Sequence, residues 1–250
     1  MSKPNGVIIY RGPSQIDGKP IVVIVTGLNK KTANAKTGDM LQTWILLDNV
    51  SPMEAVKTGQ DESICGGCKH RGELKLIDGK WVWVKKRTCY VIAWQGPRAI
   101  WEAFKRGAYV DMTEEDISSI GKNRNVRLGA YGDPAAVPVS IWQDLTMFAD
   151  TTTGYTHQWK DTANSALKYL TMASADSVEE YKEAIKAGWR TFRVKKPSDH
   201  AMKGETVCPN TTVGLSCADC GACKGLKGSS PLKGSIVIDV HGAAAAAFTG

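Results

Sequence analysis

No apolar run in the 250 residues approaches the ~18 needed for a membrane-spanning helix, which excludes an integral helical membrane protein. The opening MSKPNGVIIYRGP has no apolar stretch ahead of a small-residue cleavage site, so no export leader is expected. There is no G-x-x-x-x-G-K-[ST] phosphate loop, no G-x-S-x-G elbow and no H-E-x-x-H pair, so three common catalytic designs are absent. Internal repeats and low-complexity tracts are also lacking, apart from the Ala243–Ala247 run, which reads as a short terminal helix or tail. Histidine is scarce, with four residues. The hydrophobic fraction of 42% and charged fraction of 23% are globular values, which excludes collagen-like and largely disordered chains.

Cysteine is what the chain does have. Cys65, Cys68 and Cys89 form one group, in SICGGCKHRG and KKRTCYV, and Cys208, Cys217, Cys220 and Cys223 form another, in VCPNTTVGLSCADCGACKG. An odd total of seven, without a leader, argues against a disulfide framework. Cys-x-x-Cys spacing lets two sulfurs converge on one metal from a tight turn, which Gly66, Gly67 and Gly221 support. The net charge of +7 invites a nucleic-acid reading, but seven metal-bound thiolates would offset it.

Two metal readings follow. In the iron–sulfur reading, four thiolates close one cluster while Cys65, Cys68 and Cys89 leave an iron open for chemistry. In the zinc reading, His70 completes a site with Cys65, Cys68 and Cys89, and the second group is a closed four-thiolate site. The triple spacing Cys217-x-x-Cys220-x-x-Cys223 and the odd count favour iron–sulfur.

Patterning places these groups on an α/β fold. Residues 20–26 (PIVVIVT) read as a buried strand, and 41–47 as another. Ser51-Pro52-Met53-Glu54 opens a helix, and residues 74–84 form a hairpin around Asp78-Gly79. Helices are expected at 97–107, from Thr113, at 140–148, as a turn at 164–168, and at 177–187. Strands are expected at 126–131, 154–159, 169–173, 189–194 and 235–240. Strands alternating with helices mean parallel βαβ units, and five or more suggest a (β/α) barrel or partial barrel with cysteine-rich metal-binding loops. The expected organisation is N-terminal strands over 1–50, the barrel core with the first cysteine group over 51–194, a metal-binding insertion over 195–234, and the last strand and tail over 235–250.

Chemistry in such folds sits at the C-terminal ends of strands. That rule selects Gly132, Asp133, His157, Ser174, Arg193 and His241, with both cysteine groups expected to converge on the same face. His157 is expected to face the substrate and Arg193 to offer its fork to an anion. His200 reads as solvated. The eight tryptophans read as core residues rather than base-stacking platforms.

A cysteine group after an early strand, then a helix, then a strand ending in Gly132-Asp133-Pro134, resembles the radical S-adenosylmethionine superfamily. The resemblance implies a partial barrel in which Cys65, Cys68 and Cys89 hold a [4Fe-4S] cluster whose open iron binds S-adenosylmethionine. It implies that Asp133 contacts the amino group of that cofactor, and that Cys208 to Cys223 hold an auxiliary cluster. The spacing of two and then 20 intervening residues differs from the family's three and two, and Asp stands where the family has Glu. Over nearly its whole length the chain is also similar to phage- and plasmid-encoded proteins sharing GPSQIDGKPI, ICGGCKHR, TCYV, LGAYGDPAAVP, GYTHQW and GWRTFRV. The resemblance implies a location in the cytoplasm of a bacterial host and a small-molecule or nucleic-acid substrate. A non-catalytic, zinc-stabilised protein binding nucleic acid or a host protein is the alternative.

Overall fold

The computed structural model describes residues 5–29, 34–226, 234–242 and 244–248. The N-terminal part is an antiparallel meander of β1 (Gly6–Pro13), β2 (Pro20–Thr26) and β3 (Met40–Leu47). The six residues between β1 and β2 can only turn the chain back on itself, which fixes the antiparallel pairing. Ile21 to Val25 of β2 are fully buried. Each such side chain contributes about 1.5–3 kcal/mol relative to exposure.

The chain then passes through α1 (Pro52–Thr58), α2 (Glu62–Cys65), and a separate hairpin of β4 (Glu73–Ile77) and β5 (Lys80–Lys85). The caps follow the sequence: Ser51 accepts from the Glu54 amide at the start of α1, and Pro52 occupies its first turn. After α3 (Gly96–Lys105), β6 (Val110–Asp111) and α4 (Glu114–Gly121), the parallel part begins. It comprises β7 (Asn125–Tyr131), α5 (Val139–Thr146), β8 (Thr151–Thr156), β9 (Met172–Ala175), α6 (Val178–Lys186) and β10 (Thr191–Lys195). It ends with β11 (Glu205–Val207), α7 (Pro209–Val213), α8 (Cys217–Cys220) and β12 (Ser235–Asp239).

The ten-stranded sheet has the order β11-β12-β10-β9-β8-β7-β3-β2-β1-β6. From β3 through β7, β8, β9 and β10 to β12, neighbours are parallel and each new strand is added on the same side. The fold is thus α/β around a large, mostly parallel sheet. An all-parallel closed barrel is not what forms: the first three strands are antiparallel, and among the described residues no ladder joins the edge strands β6 and β11.

The sheet is curled. Five neighbouring strands, β7, β8, β9, β10 and β12, each contribute side chains to one cavity of about 240 Å³. Laid flat, they would spread over about 19 Å. The curl also brings the ends of the parallel run together: Lys36 Nζ, before β3, lies 2.8 Å from His241 Nε2, just after β12.

Some elements shift from their expected places. The strand expected at 154–159 runs over Thr151–Thr156, because Trp159 is a loop residue anchored by a 2.8 Å bond from its indole N–H to the Ser174 carbonyl. The strand expected at 169–173 runs over Met172–Ala175, after a 3-10 segment, Thr162–Tyr169. Ala245–Ala247 form a 3-10 turn, while Ala243, and residues 227–233 of the expected metal-binding insertion, lie outside the described residues.

Candidate metal centre and cavity

The first cysteine group is assembled by the turn after α2 and the foot of the hairpin. The His70 carbonyl accepts from the amides of Thr88 and Cys89, at 3.1 and 3.0 Å, so Cys89 is stitched to the Cys65–Cys68 loop. Asp61 is the second clamp. Its carboxylate, 3% exposed, accepts from Arg71 at 3.0 Å and from Arg87 at 2.9 Å. A buried carboxylate shared by two guanidiniums holds both sides of the loop closed. Gly66 has φ +54, and a Cβ there would meet Gln158 at 2.5 Å. Gln158 needs that space because its side-chain amide accepts from Gly67 N and donates to the Cys65 carbonyl.

The second group packs into the concave face. Cys208 and Cys223 are buried with Met172, Ile236 and Ile238. The Lys36 and Thr37 carbonyls accept from the amides of Cys217 and Ala218, at 2.9 and 3.0 Å. The Gly154 amide donates to the Cys223 carbonyl, and the Arg190 guanidinium donates to the carbonyls of Ala222, Lys224 and Gly234. Lys36 and Thr37 precede β3, Arg190 precedes β10, and a Cβ on Gly221 would meet Thr151, the first residue of β8, at 3.2 Å. The expectation of one shared face at the strands' C-terminal ends is corrected: the first group lies by the turns after β7 and β8, the second by the N-terminal ends of β3, β8 and β10. Cys65, Cys68, Cys89 and Cys217 all line the cavity.

Burial pushes the thiols of Cys65 and Cys89 up, with neighbouring charges adding to the rise at Cys65. Cys223 is pushed up to about 12 by burial and by Cys208, Cys217 and Cys220 around it. Without a cation these thiols stay protonated. A bound metal reverses that balance.

His157, Gly132, Asp133, Ser174 and His241 all line the cavity. His157 Nε2 is 3.8 Å from Cys68 Sγ and 3.6 Å from Asp176 Oδ2. Burial opposes its charged form, but Cys68 and Asp176 outweigh it and hold the imidazolium well above the usual range. Asp133 is 6% exposed. Its Oδ2 accepts from the His157 amide at 2.7 Å and its Oδ1 from the Ala135 amide at 2.9 Å. Each oxygen thus accepts one bond from the protein's own backbone. Gly132 has φ +84, and a Cβ there would meet Ile45 at 2.6 Å, so the turn presses against β3. His241 Nδ1 lies 3.0 Å from the Asp239 carbonyl, and its ring centroid is 5.0 Å from that of Tyr90.

Arg193 is elsewhere. On β10, Phe192 and Val194 line the cavity, so Arg193 points to the opposite face. There its guanidinium forms a two-pronged pair with Glu205, at 2.8 and 2.7 Å, with side-chain exposures of 2% and 0%. His200 contributes its carbonyl to the same guanidinium. The tryptophans divide. Trp142, Trp159 and Trp189 are core residues as expected, but Trp81, Trp83 and Trp94 are 51%, 42% and 60% exposed. The first two lie on a two-stranded hairpin with no sheet to cover it.

The sequence reading missed Asp61, Gln158, Thr88 and Asp176. Asp176 stands just past β9, and the strand-end rule that selected Ser174 would have reached it two residues later. Tyr131 also went unnoticed: it is 2% exposed, lines the cavity, and its hydroxyl has no hydrogen-bond partner among the described residues. No helix among the described residues is long and apolar enough to cross a membrane. No family model, no curated protein and no solved structure matches the chain.

Proposed function

We propose that the protein is an iron–sulfur enzyme of the radical S-adenosylmethionine type, with its reaction chamber in the cavity of the curled sheet. One observation carries this reading. Cys65, Cys68 and Cys89 line one cavity, and three thiolates without a fourth would leave one iron of a four-iron cluster open to a ligand from that cavity. His70, the fourth ligand of the zinc reading, has its ring nitrogens turned to Thr88 and Asp176, at 2.8 and 2.9 Å. The consecutive parallel strands around a side-chain-lined cavity are what a partial barrel requires.

A cluster on Cys65, Cys68 and Cys89 supplies one-electron reduction at an iron without a protein ligand, where S-adenosylmethionine would bind. The chain's own residues do the rest. Tyr155, Phe192, Val194 and Ile238 make an apolar wall that keeps water out. Arg87, buried beside Cys89, offsets thiolate charge. His157 places its Nε2 3.8 Å from Cys68 Sγ, at the cavity wall. Asp133 fixes the backbone that carries His157 and lines the cavity where the cofactor would bind. The Tyr131 hydroxyl and Ser174 are free to orient what enters.

The substrate we favour is a nucleic acid or nucleotide, and the mobile-element origin belongs to the same proposal. The β4–β5 hairpin grows from the chain between Cys68 and Cys89. It exposes Trp81 and Trp83 on one face with Leu76, and carries Lys75, Lys80 and Lys85. Exposed aromatics suit stacked bases, and Lys85, on the same face by alternation, and Lys80, at the turn, suit a phosphate backbone. The same hairpin favours the second reading, a non-catalytic, zinc-stabilised protein that binds nucleic acid or a host protein.

Anaerobic purification with analysis for iron, sulfide and zinc separates the two. Iron and sulfide, with reductive cleavage of S-adenosylmethionine that Cys68→Ala abolishes, is the expected result. A colourless protein with stoichiometric zinc would sink the enzyme reading.

A further inference from the structure

Beside the cysteine groups, a second set of donors sits where two cavities meet. His70, Asp176 and His157 each offer one atom, all within 4.8 Å of one another. Asp176 Oδ1 is 2.9 Å from His70 Nε2, and Oδ2 is 3.6 Å from His157 Nε2. The Asp176 side chain is 2% exposed, and no hydrogen bond satisfies its Oδ2 among the described residues. The His157 ring faces that oxygen from beyond hydrogen-bonding reach, and a cation between the two would bond both.

We propose that His70, Asp176 and His157 hold a divalent transition-metal cation, separate from any metal on the seven cysteines. Two imidazoles and one carboxylate form the donor set of open-sided iron(II) sites, and manganese and cobalt accept it as well. Donors sharing one ion at bonds of ~2.0–2.2 Å stand about 3–3.5 Å apart; here the two rings approach different oxygens of Asp176, at 2.9 and 3.6 Å, on either side of a carboxylate that can bridge them to one ion. His70 is set for ligation by its other nitrogen: Nδ1 lies 2.8 Å from Thr88 Oγ1, which leaves Nε2 facing Asp176. Such anchoring of the second ring nitrogen is the usual support of a metal-bound histidine. Asp176 is held from behind, where Glu180 accepts its backbone amide at 2.9 Å.

The site has its own entrance. A cavity of about 340 Å³, bordered by Gly67, Lys69, Gln158 and Glu180, reaches His157 and Asp176 without passing the cysteines. On the other side His70 and His157 line the central cavity. An ion here would therefore stand in the chamber wall, with Cys68 Sγ 3.8 Å from one of its ligands. Its open positions would bind an oxygen or nitrogen donor of a substrate.

The test is cobalt(II) titration of the full chain, stripped of metal and kept reduced. The wild-type chain is expected to bind one equivalent more than either Asp176→Asn or His70→Gln. Near-ultraviolet circular dichroism verifies that each variant is folded. Thr88→Val is expected to weaken this equivalent about 10–100-fold. Equal cobalt stoichiometry in folded Asp176→Asn and in the wild-type chain overturns the proposal. Manganese(II), which thiolates hold poorly, provides a reading that needs no variant. Loss of its free-ion paramagnetic resonance signal on mixing with wild-type protein is expected, and an unchanged signal overturns the proposal. Iron and sulfide are measured on separate, untreated protein, so failure of the cluster reading leaves this outcome intact.

Discussion

Asp133 and His157 are joined through the backbone: a carboxylate oxygen of the first accepts the amide of the second at 2.7 Å. The bond ties the turn after β7 to the turn after β8 and sets where the imidazole stands. Replacing Asp133 with Ala strands two buried amides, those of Ala135 and His157. The expected loss is about 2–6 kcal/mol of stability, at 1–3 kcal/mol per buried unsatisfied group. Chemical denaturation measures it. An Asp133→Ala protein as stable as wild type would show that these bonds do not hold the rim.

Arg193 makes the opposite case. Its pair with Glu205 is fully buried and faces away from the cavity. Arg193→Met leaves an uncompensated carboxylate and is expected to cost about 3–5 kcal/mol. Metal content and any activity per folded molecule should be unchanged. Loss of metal in folded Arg193→Met would place this residue in the site after all.

The Gly66–Gln158 contact predicts a coupled pair. Gly66→Ala adds a Cβ at positive φ and drives it into the Gln158 amide. The expected cost is about 1–3 kcal/mol, the range for strained backbone positions, together with reduced metal on the first cysteine group. Gln158→Ala removes the clash but not the φ strain, so the double variant should recover part of the loss. A double-mutant cycle with no coupling would mean that the two residues do not touch in solution.

The two cysteine groups should load independently, because different loops build them. Cys217→Ala is expected to remove the metal of the four-cysteine group and leave that of Cys65, Cys68 and Cys89. Elemental analysis and paramagnetic resonance read the two separately. Complete loss of both from a folded Cys217→Ala chain would point to one shared centre across the cavity.

The hairpin provides the substrate test. Trp81→Ala with Trp83→Ala should weaken binding of a single-stranded oligonucleotide by about 1–3 kcal/mol per stacked base. Fluorescence anisotropy measures the affinity. Equal affinity would remove the hairpin as a nucleic-acid platform.

Much of the fold was legible because local chemistry and packing agree. Residues 21–25 are apolar throughout and form a strand buried on both faces. Ser51 and Ser177 each cap a helix by accepting an amide three residues on. Asp78 and Gly79 both take positive φ, as a two-residue hairpin turn demands. The cysteines were legible from spacing alone. What spacing could not show was direction. Arg193 alternates with cavity residues along β10, and a one-residue step decides the face. The resemblance made Asp133 a cofactor contact, but nothing in the sequence showed that its carboxylate also accepts the amides of Ala135 and His157. The short elements around Cys208 to Cys223 have little periodicity of their own, being held by Arg190, Lys36 and Thr37 from distant strands.

The single carbonyl of His70 has a wider consequence. By accepting from both Thr88 and Cys89 it closes the chain between the second and third cysteines into a loop with a fixed base. Arg71 and Arg87, just above that base, reinforce it through Asp61, and the hairpin beyond them is geometrically silent at the sulfurs. It can lengthen, shorten or be exchanged for another module while the three thiols keep their places. The spacing from Cys68 to Cys89 is then a property of the inserted module rather than of the thiols, and that module is free to evolve toward new partners.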